Sequence, residues 1–211
     1  MSAAVPADRR QRRRQETIEQ VLDVAADVMA AEGVTGLTLG EVARRMGIRT
    51  PSLYVYFDSK NALYDALFER GWRLLLAAVT AADEQVRDGD GRTVLHTVNG
   101  AFVRWAVEHP AYTPLMLWRP VPRFEPSAEA YAPAVDMTRL AVDRLRHFQQ
   151  AGVLRADVDV DDAYRTLTAV TAGVISQQLT NAPHESFDDG LFTATLPAVL
   201  DMWLTHYGAR P

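Results

Sequence analysis

Apolar residues recur every three or four positions along most of this 211-residue chain, which is the spacing of one face of an α-helix. No stretch alternates apolar and polar residues in the manner of a half-buried β-strand. Prolines and glycines interrupt the pattern and separate the predicted helices. The sequence therefore predicts an all-α protein, with helices over 17–32, from 59 to about 86, over 94–108, 112–118, 135–150 and 163–180, and a last helix within 191–204 that Pro197 should kink.

Between residues 38 and 57 the pattern predicts two short helices joined by a tight turn. Thr38 and Glu41 have the spacing of a capping box, in which each side chain binds a backbone N–H group of the other residue. Gly47 stands where the first helix needs a residue with positive φ in order to end. The apolar positions between them form one helical face, made of Leu39, Val42, Ala43 and Met46.

The second of these helices has Thr50 as its predicted cap and Pro51 in its first turn, where no backbone N–H group is required. Leu53 and Phe57 lie four positions apart and should pack inward, whereas the residues around them project away from the core. A short helix with a polar and aromatic outer face, held against a capped partner, is typical of a helix-turn-helix.

These residues resemble the DNA-binding signature of the tetracycline-repressor (TetR) family. Arg49 departs from the family pattern, which often has a small capping residue there, so the cap is predicted at Thr50. A helical hairpin that binds no DNA is the alternative interpretation. The matching positions span about a quarter of the chain and read Thr38-Leu39-x-Glu41-Val42-Ala43, Gly47-Ile48 and Ser52-Leu53-Tyr54-x-Tyr56-Phe57-x-Ser59-Lys60-x-x-Leu63.

The resemblance implies that the helix predicted over 50–57 enters the major groove of DNA. It also implies which residues contact the duplex. Thr38, Tyr56 and Lys60 would hold phosphates. Those facing the bases or the groove edge would be Thr50, Pro51, Ser52 and Tyr54, and Arg49 completes the candidate DNA-binding set.

The resemblance further implies two domains and a regulatory function. Residues 1–60 would form a three-helix DNA-binding head, and residues 61–211 a larger helical bundle for effector binding and dimerisation. The implied function is that of a sequence-specific, homodimeric repressor, released from a palindromic operator in double-stranded DNA by a small-molecule effector. Activation instead of repression is the alternative.

The formal net charge of −5 is unexpected for a protein that binds DNA. Its distribution explains the discrepancy, because residues 1–60 hold nine Lys or Arg against eight Asp or Glu, and residues 61–211 hold thirteen against nineteen. Screening at physiological salt limits surface electrostatics to about 8 Å, so DNA senses nearby basic residues rather than the total. A non-specific architectural DNA binder would instead be basic throughout.

A basic stretch, Arg9–Arg14, follows a small-residue tail, Ser2–Ala7, and precedes the first predicted helix. We interpret the stretch as an arm that contacts phosphates or the minor groove next to the helix-turn-helix. A solvated tail is the alternative interpretation.

The predicted body carries aromatic residues that suit a pocket for an apolar or aromatic effector. The proline-rich loop Arg119–Pro126 is placed to shape the mouth of such a pocket. Each aromatic residue, taken singly, is more often a core residue than a ligand contact. The candidate pocket residues are Trp105, His109, Tyr112, Met116, Trp118, Phe124, Tyr131 and Tyr164.

Three arginines of the body, Arg104, Arg139 and Arg144, are candidates for selecting an anionic effector or for simple solvation. The run Trp105–Tyr112 also resembles the C-terminal domain of one TetR subgroup.

The last two predicted helices are rich in apolar residues and suit either of two roles. They could complete the core of a monomer, or they could pack against a second copy as a four-helix bundle, as the family resemblance implies. Val174 and Leu200 are the predicted outward-facing residues of such an interface.

Several other classes of protein are disfavoured. The chain has no cysteine, which excludes disulfides and thiolate metal sites. Met1–Pro6 lacks the order of a signal peptide and no apolar run is long enough to cross a bilayer, so we expect a cytoplasmic protein.

An enzyme is the main alternative class, but the motifs Gly-x-Ser-x-Gly, His-Glu-x-x-His and the Rossmann glycines are absent from the sequence. The acidic run Asp157–Asp162 lacks the glycine and glutamate of a calcium loop and is predicted to open a helix instead. We therefore expect no catalytic site, metal or cofactor.

Overall fold

The computed structural model describes residues 5–209, with side chains from residue 9 onward. These residues form no β-strand, apart from one isolated antiparallel bridge between Leu154 and Gly208. The predicted all-α class is confirmed. Short 3-10 turns cover Val34–Gly36 and Thr193–Thr195. The α-helices are α1 (Val5–Glu32), α2 (Leu39–Arg45), α3 (Thr50–Leu53), α4 (Lys60–Gln85), α5 (Gly91–Glu108), α6 (Thr113–Leu117), α7 (Ala128–Gln150), α8 (Val160–Asn181) and α9 (Leu196–Tyr207).

The chain packs as two compact units. The first contains the residues up to Gly71 together with Ala111–Ala130, and the second contains Trp72–Pro110 together with the residues from Tyr131 onward. The first unit is therefore larger than the predicted head, residues 1–60. It adds the first turns of α4 and a segment from the middle of the chain. The division into functional domains after residue 60 stays a prediction.

The core of the first unit forms around one face of α1. That face carries the apolar residues of the helix predicted over 17–32. The helix is followed by Gly33, whose φ is 74°. Tyr64 of α4 is fully buried, and its hydroxyl group donates a 2.7 Å hydrogen bond to the carbonyl oxygen of Val34. This bond satisfies the phenol, which would otherwise be costly to bury. The buried residues of this core include Val21, Leu22, Ala25, Val28, Met29, Val42, Leu53, Phe57, Leu63 and Leu67.

The segment 111–130 packs directly on the first turns of α4. The ring centroids of Tyr64 and Phe124 lie 5.5 Å apart. Asp65 accepts hydrogen bonds from the backbone N–H (2.7 Å) and the hydroxyl (2.6 Å) of Ser127. A Cβ atom at Gly71 would lie 2.5 Å from the sulfur of Met116, so the glycine permits the close approach of α4 and α6.

The second unit is a helical bundle in which α5, α8 and α9 pack on one another. The indole N–H of Trp203 donates to the carbonyl oxygen of Ala163 (3.0 Å), which joins α9 to α8. Gln178 is fully buried, and its amide oxygen accepts from the backbone N–H of Phe192 (2.9 Å). These bonds fix the segment between α8 and α9.

Two predicted helix starts were wrong, because both helices begin earlier in the chain. α1 begins at Val5 instead of Thr17, so the basic stretch Arg9–Arg14 is part of the helix and not a separate arm. Of the predicted tail Ser2–Ala7, residues 2–4 lie outside the described residues. α7 begins at Ala128 and contains Pro133, which the prediction placed before the helix.

Pro197 lies in the first turn of α9, where a proline needs no N–H partner. The predicted kink at Pro197 was therefore wrong. The acidic opening of α8 follows the prediction, because the Asp159 carboxylate accepts hydrogen bonds from the backbone N–H groups of Asp161 (2.9 Å) and Asp162 (3.1 Å). Among the described residues, no helix combines the length and apolar character needed to cross a membrane.

Candidate nucleic-acid interface

The start and end of α2 are fixed by local interactions. The Thr38 hydroxyl oxygen accepts a 3.1 Å hydrogen bond from the backbone N–H of Glu41, which is one half of the predicted capping box. Gly47 has φ 67°, and the backbone N–H of Ile48 donates to the carbonyl oxygen of Ala43 (3.0 Å). This second bond spans the helix end in the pattern of a Schellman motif. The predicted tight turn is confirmed.

The Glu41 side chain takes a different role from the predicted one. Its carboxylate accepts hydrogen bonds from Arg44 (2.6 and 2.8 Å) and Arg45 (2.7 Å) instead of returning to the backbone of Thr38. Arg45 also binds Glu32 at 2.8 Å, which ties α2 to the end of α1. The hydrogen bonds from Arg44 and Arg45 stabilise the charged carboxylate and lower the pKa of Glu41 to about 2.

The segment from Thr50 to Phe57, called the recognition segment below, contains a shorter helix than predicted. Arg49 occupies the N-cap position of α3 without a side-chain cap bond, and Thr50 is the first helical residue, so the prediction that the cap moves to Thr50 was wrong. Pro51 lies in the first turn, as predicted. α3 ends at Leu53, although the backbone N–H of Phe57 still donates to the Leu53 carbonyl oxygen (2.9 Å).

Burial separates the two faces of this segment as the spacing predicted. Leu53 and Phe57 are buried, whereas Tyr54 is 51% exposed and Val55 is 70% exposed. The exposed surface also includes Thr38, Arg49, Pro51 and Ser52. The chain therefore exposes hydroxyl, aromatic, aliphatic and basic groups at the helix-turn-helix.

Basic side chains of α1 and α4 contact aromatic rings of the first unit. The guanidinium carbon of Arg14 in α1 lies 5.8 Å from the ring centroid of Tyr56, a cation–π contact. Lys60, the first residue of α4, has its ammonium nitrogen 5.2 Å from the ring centroid of Tyr64 and 3.4 Å from the carbonyl oxygen of Thr35. Both cations are held by weak contacts, which leaves them able to bind an anion.

Comparison with known proteins identifies the family. Residues 21–67 match the family described as bacterial regulatory proteins, tetR family, and residues 95–199 match the tetracyclin repressor-like C-terminal domain. The chain is 30% identical over 186 residues to the tetracycline repressor protein class C of Escherichia coli, covering 86% of this chain and 77% of that protein. The chain belongs to the TetR family.

Two further regulatory proteins show the extent of the similarity. The uncharacterized HTH-type transcriptional regulator YobS of Bacillus subtilis is 29% identical over 96 residues, which is 46% of this chain and 49% of that protein. The match thus spans about half the length of YobS. A regulatory protein of the tetR family from Rhodococcus RHA1 has the same fold, with a TM-score of 0.72 at 19% identity over 92% of this chain and 98% of that one.

Membership of the TetR family establishes the chain as a transcriptional regulator with a helix-turn-helix. The relatives are regulatory proteins and not enzymes. The roles assigned to single residues of the DNA-facing surface stay predictions, to be tested by substitution.

The eight predicted pocket residues of this TetR-family regulator are divided between the two units. Tyr112, Met116 and Phe124 are buried in the first unit, where Trp118 is exposed. In the second unit, Trp105 is buried and stacks on His109 with ring centroids 4.3 Å apart.

Tyr131 is exposed in the second unit, and the hydroxyl group of Tyr164 lies 3.1 Å from that of Thr138. Neither unit gathers all eight residues, and their role in ligand binding stays a prediction. The three candidate anion-selecting arginines each have a carboxylate partner: Arg104 pairs with Asp188, Arg139 with Asp136 and Arg144 with Asp83.

A cavity of about 60 Å³ lies inside the second unit, and none of the eight predicted residues lines it. Its wall is apolar except for Asn99 and the pair formed by Asp83 and Arg144. Sequence reasoning missed the cavity because its lining residues have the spacing of an ordinary helix core. One signal was available, since Asp83 continues the apolar series of Leu75 and Val79 at intervals of four. The lining residues are Val79, Asp83, Val94, Leu95, Val98, Asn99, Met137, Leu140, Ala141, Arg144, Leu145, Phe148 and Leu167.

We expect Tyr54→Ala to weaken binding to the operator by about 1–3 kcal/mol while leaving binding to random DNA and the melting temperature nearly unchanged. The reason is that the half-exposed ring contributes little to the core and is free to contact a thymine methyl group or a phosphate. Binding to both DNAs is measured by fluorescence anisotropy. Tyr54→Phe serves as control, because it keeps the ring and removes only the hydroxyl. A lower melting temperature with an unchanged specificity ratio would show that Tyr54 is a structural support.

We expect Lys60→Ala to weaken binding to operator and random DNA alike and to reduce the slope of log affinity against log salt by about one unit. The lysine would release about one counterion from a phosphate. Arg139→Ala is the matched control, because it removes the same charge from an exposed position in the second unit. Equal salt slopes for Lys60→Ala and wild type would exclude the phosphate contact.

Glu41→Gln tests the ion pairs of α2. A carboxyl group whose pKa falls from 4.5 unfolded to about 2 folded stabilises the protein above pH 4.5, and the stabilisation is lost as the pH falls toward 2. We therefore expect the variant to unfold at lower urea concentration than wild type from pH 7 to pH 5, and the difference to shrink as the pH is lowered to 3. Glu84→Gln, at an exposed position of α4, is the matched control. A stability difference that does not vary with pH would contradict the lowered pKa of Glu41.

Proposed function

We propose that this TetR-family protein is a homodimeric repressor that binds a palindromic operator and is released by a small-molecule effector. The observation that carries the proposal is the capped helix-turn-helix with its exposed face at Pro51, Ser52 and Tyr54. The name of the relative from Escherichia coli, a tetracycline repressor, supports repression and a small-molecule effector for this chain.

In the proposed complex, the segment from Thr50 to Phe57 of each protomer enters the major groove, with the two segments about 34–36 Å apart. Lys60 and Arg14 would border the groove and bind phosphates. The Glu41 carboxylate neutralises much of the charge of Arg44 and Arg45, so phosphate binding rests mainly on the other basic residues of the head.

The exposed sides of α8 and α9 support dimerisation. On α8, the exposed positions Ala169, Gly173 and Gln177 are spaced by four and form one ridge. On α9, Met202 is 70% exposed and Ala198 lies one turn before it. Small side chains beside an exposed methionine allow close packing of a second pair of helices.

The predicted interface residues Val174 and Leu200 do not fit this role, because both are buried within one protomer. Both side chains face the core of the bundle instead. The proposed interface therefore uses the neighbouring faces.

The cavity of the second unit supports an effector site. Its lining is mostly apolar and contains a few polar groups that are able to orient a ligand. α4 contributes Val79 and Asp83 to its wall and begins with Lys60, so one continuous helix carries cavity residues and a predicted phosphate contact. An effector would lower operator occupancy only through higher affinity for the conformation that binds DNA weakly.

The direct experiment is footprinting of the purified protein on the DNA flanking its own gene, with and without small apolar compounds. The proposal expects a protected site with two-fold symmetry, and loss of protection when an effector is added. A protein that protects no segment at physiological salt, or protects all segments equally, would contradict sequence-specific repression.

We expect wild type to be a dimer at micromolar concentration, and both Met202→Glu and Gly173→Leu to be monomers with reduced operator affinity. Within one protomer, a Cβ atom at Gly173 would meet no atom within 4 Å, so the larger side chain is tolerated by the fold and disrupts only an interface. Light scattering measures the mass. Val135→Glu, a charge at an exposed apolar position of α7, is the control and should remain dimeric. A monomeric wild-type protein would end the dimer proposal.

A further inference from the structure

An ion pair forms part of the wall of the apolar cavity in the second unit. The guanidinium group of Arg144 in α7 donates a hydrogen bond to the Asp83 carboxylate of α4. The side chains are only 18% and 10% exposed, respectively. Both residues follow the apolar spacing of their helices, so each charge is placed where an aliphatic side chain would otherwise stand.

Stability alone does not account for this pair. Removing two charges from water costs about as much as their mutual attraction returns, and apolar residues of similar volume often stabilise a core equally well. The pair does leave a carboxylate and a guanidinium at the edge of an apolar space. A charged ligand is able to bind there by exchanging with one member of the pair.

The charge of the preferred ligand depends on which side chain, Asp83 or Arg144, loses its partner when the ligand binds. An anion would bind Arg144 and leave Asp83, whose side chain is shorter and more buried. A cation would bind Asp83 and leave Arg144, whose long side chain is able to place its charge in solvent. Exchange with a cation therefore costs less than exchange with an anion.

The remaining polar group of the wall favours the same sign. The amide nitrogen of Asn99 donates to the carbonyl oxygen of Leu95 (2.8 Å), and its amide oxygen is an acceptor. An ammonium group has several hydrogens to donate and no acceptor. Asp83 and Asn99 thus present the acceptors that an ammonium group requires.

The small volume of the cavity, about 60 Å³, limits the shape of the ligand that enters it. It holds only a small part of a ligand, so a longer apolar group needs its lining to move. Met137, a buried lining residue, has an unbranched side chain that repacks easily. This favours a slender alkyl group over a rigid fused ring system.

We propose that the cavity binds alkyl amines, with the ammonium group replacing Arg144 at the Asp83 carboxylate and the alkyl chain entering the apolar space. The inference rests on the proposed function, because it names the chemical class of the effector.

The test compares three probes with the same chain and different head groups: octylamine, octanol and octanoate. Binding to the full-length protein at pH 7 is measured by isothermal titration calorimetry. We expect octylamine to bind at least about tenfold more tightly than octanol, because only its charged head group pairs with Asp83 while the displaced Arg144 is hydrated, and octanoate to bind more weakly than octanol.

Two variants assign the effect to the pair. Asp83→Asn should remove the advantage of octylamine over octanol while octanol still binds. Arg144→Gln removes the competing cation, so it should preserve or increase octylamine affinity. Because it breaks the same ion pair, it also shows whether loss of the pair alone impairs folding or binding. Tighter binding of octanoate than of octylamine, equal binding of the three probes, or no binding of octylamine would each overturn the inference.

Operator binding by the same samples separates this inference from the proposed function. Release by octanol or octanoate without an octylamine preference would reject the amine class and keep an effector-responsive repressor. Sequence-specific operator binding that no small compound relieves would reject both the amine class and the effector response. If the wild-type protein without any compound does not bind an operator, the proposed function itself is rejected.

Discussion

The hydrogen bond from the buried Tyr64 hydroxyl to the Val34 carbonyl oxygen fixes the start of α4 against the turn that ends α1. A phenol at this depth needs a partner, so the two elements have one favourable register. Phe124 covers the other side of the same ring. The recognition segment lies between α2 and α4 in the chain, and its position depends on this junction.

Much of the charge in the first unit serves structure. Glu41 links Arg44 and Arg45, and Arg45 reaches Glu32 at the end of α1. Arg70 of α4 similarly binds Asp23 of α1 at 2.5 Å. The short α2 is thereby held by ion pairs on one side and by buried Leu39, Val42 and Ala43 on the other. Counting basic residues therefore overestimates how many of them remain for phosphates.

The second unit places charge differently. Its surface pairs, such as Arg104 with Asp188, are well exposed to solvent and contribute little to stability. The pair of Asp83 and Arg144 is largely buried beside an apolar cavity, where the loss of either partner is expensive. Because of this difference, the exposed pairs contribute little, whereas the buried pair is the proposed recognition element.

The sequence by itself determined the features that depend on neighbours within one turn of helix. Thr38 caps α2, Gly47 ends it with a positive φ, and Leu53 and Phe57 point inward because their spacing puts them on one face. The family signature depends on these same short-range relations, so it could be recognised without a structure.

Only the tertiary structure decided relations between distant parts of the chain. Arg45 of α2 paired with Glu32 at the end of α1, and the segment 111–130 joined the first unit through Phe124 and Ser127. The pairing of Asp83 with Arg144 and the burial of Val174 and Leu200 likewise depend on which helices pack together. Helical spacing gives the apolar face of each helix, but the partner of that face is set by the packing of the whole chain, which minimises exposed apolar surface and unpaired buried charge together.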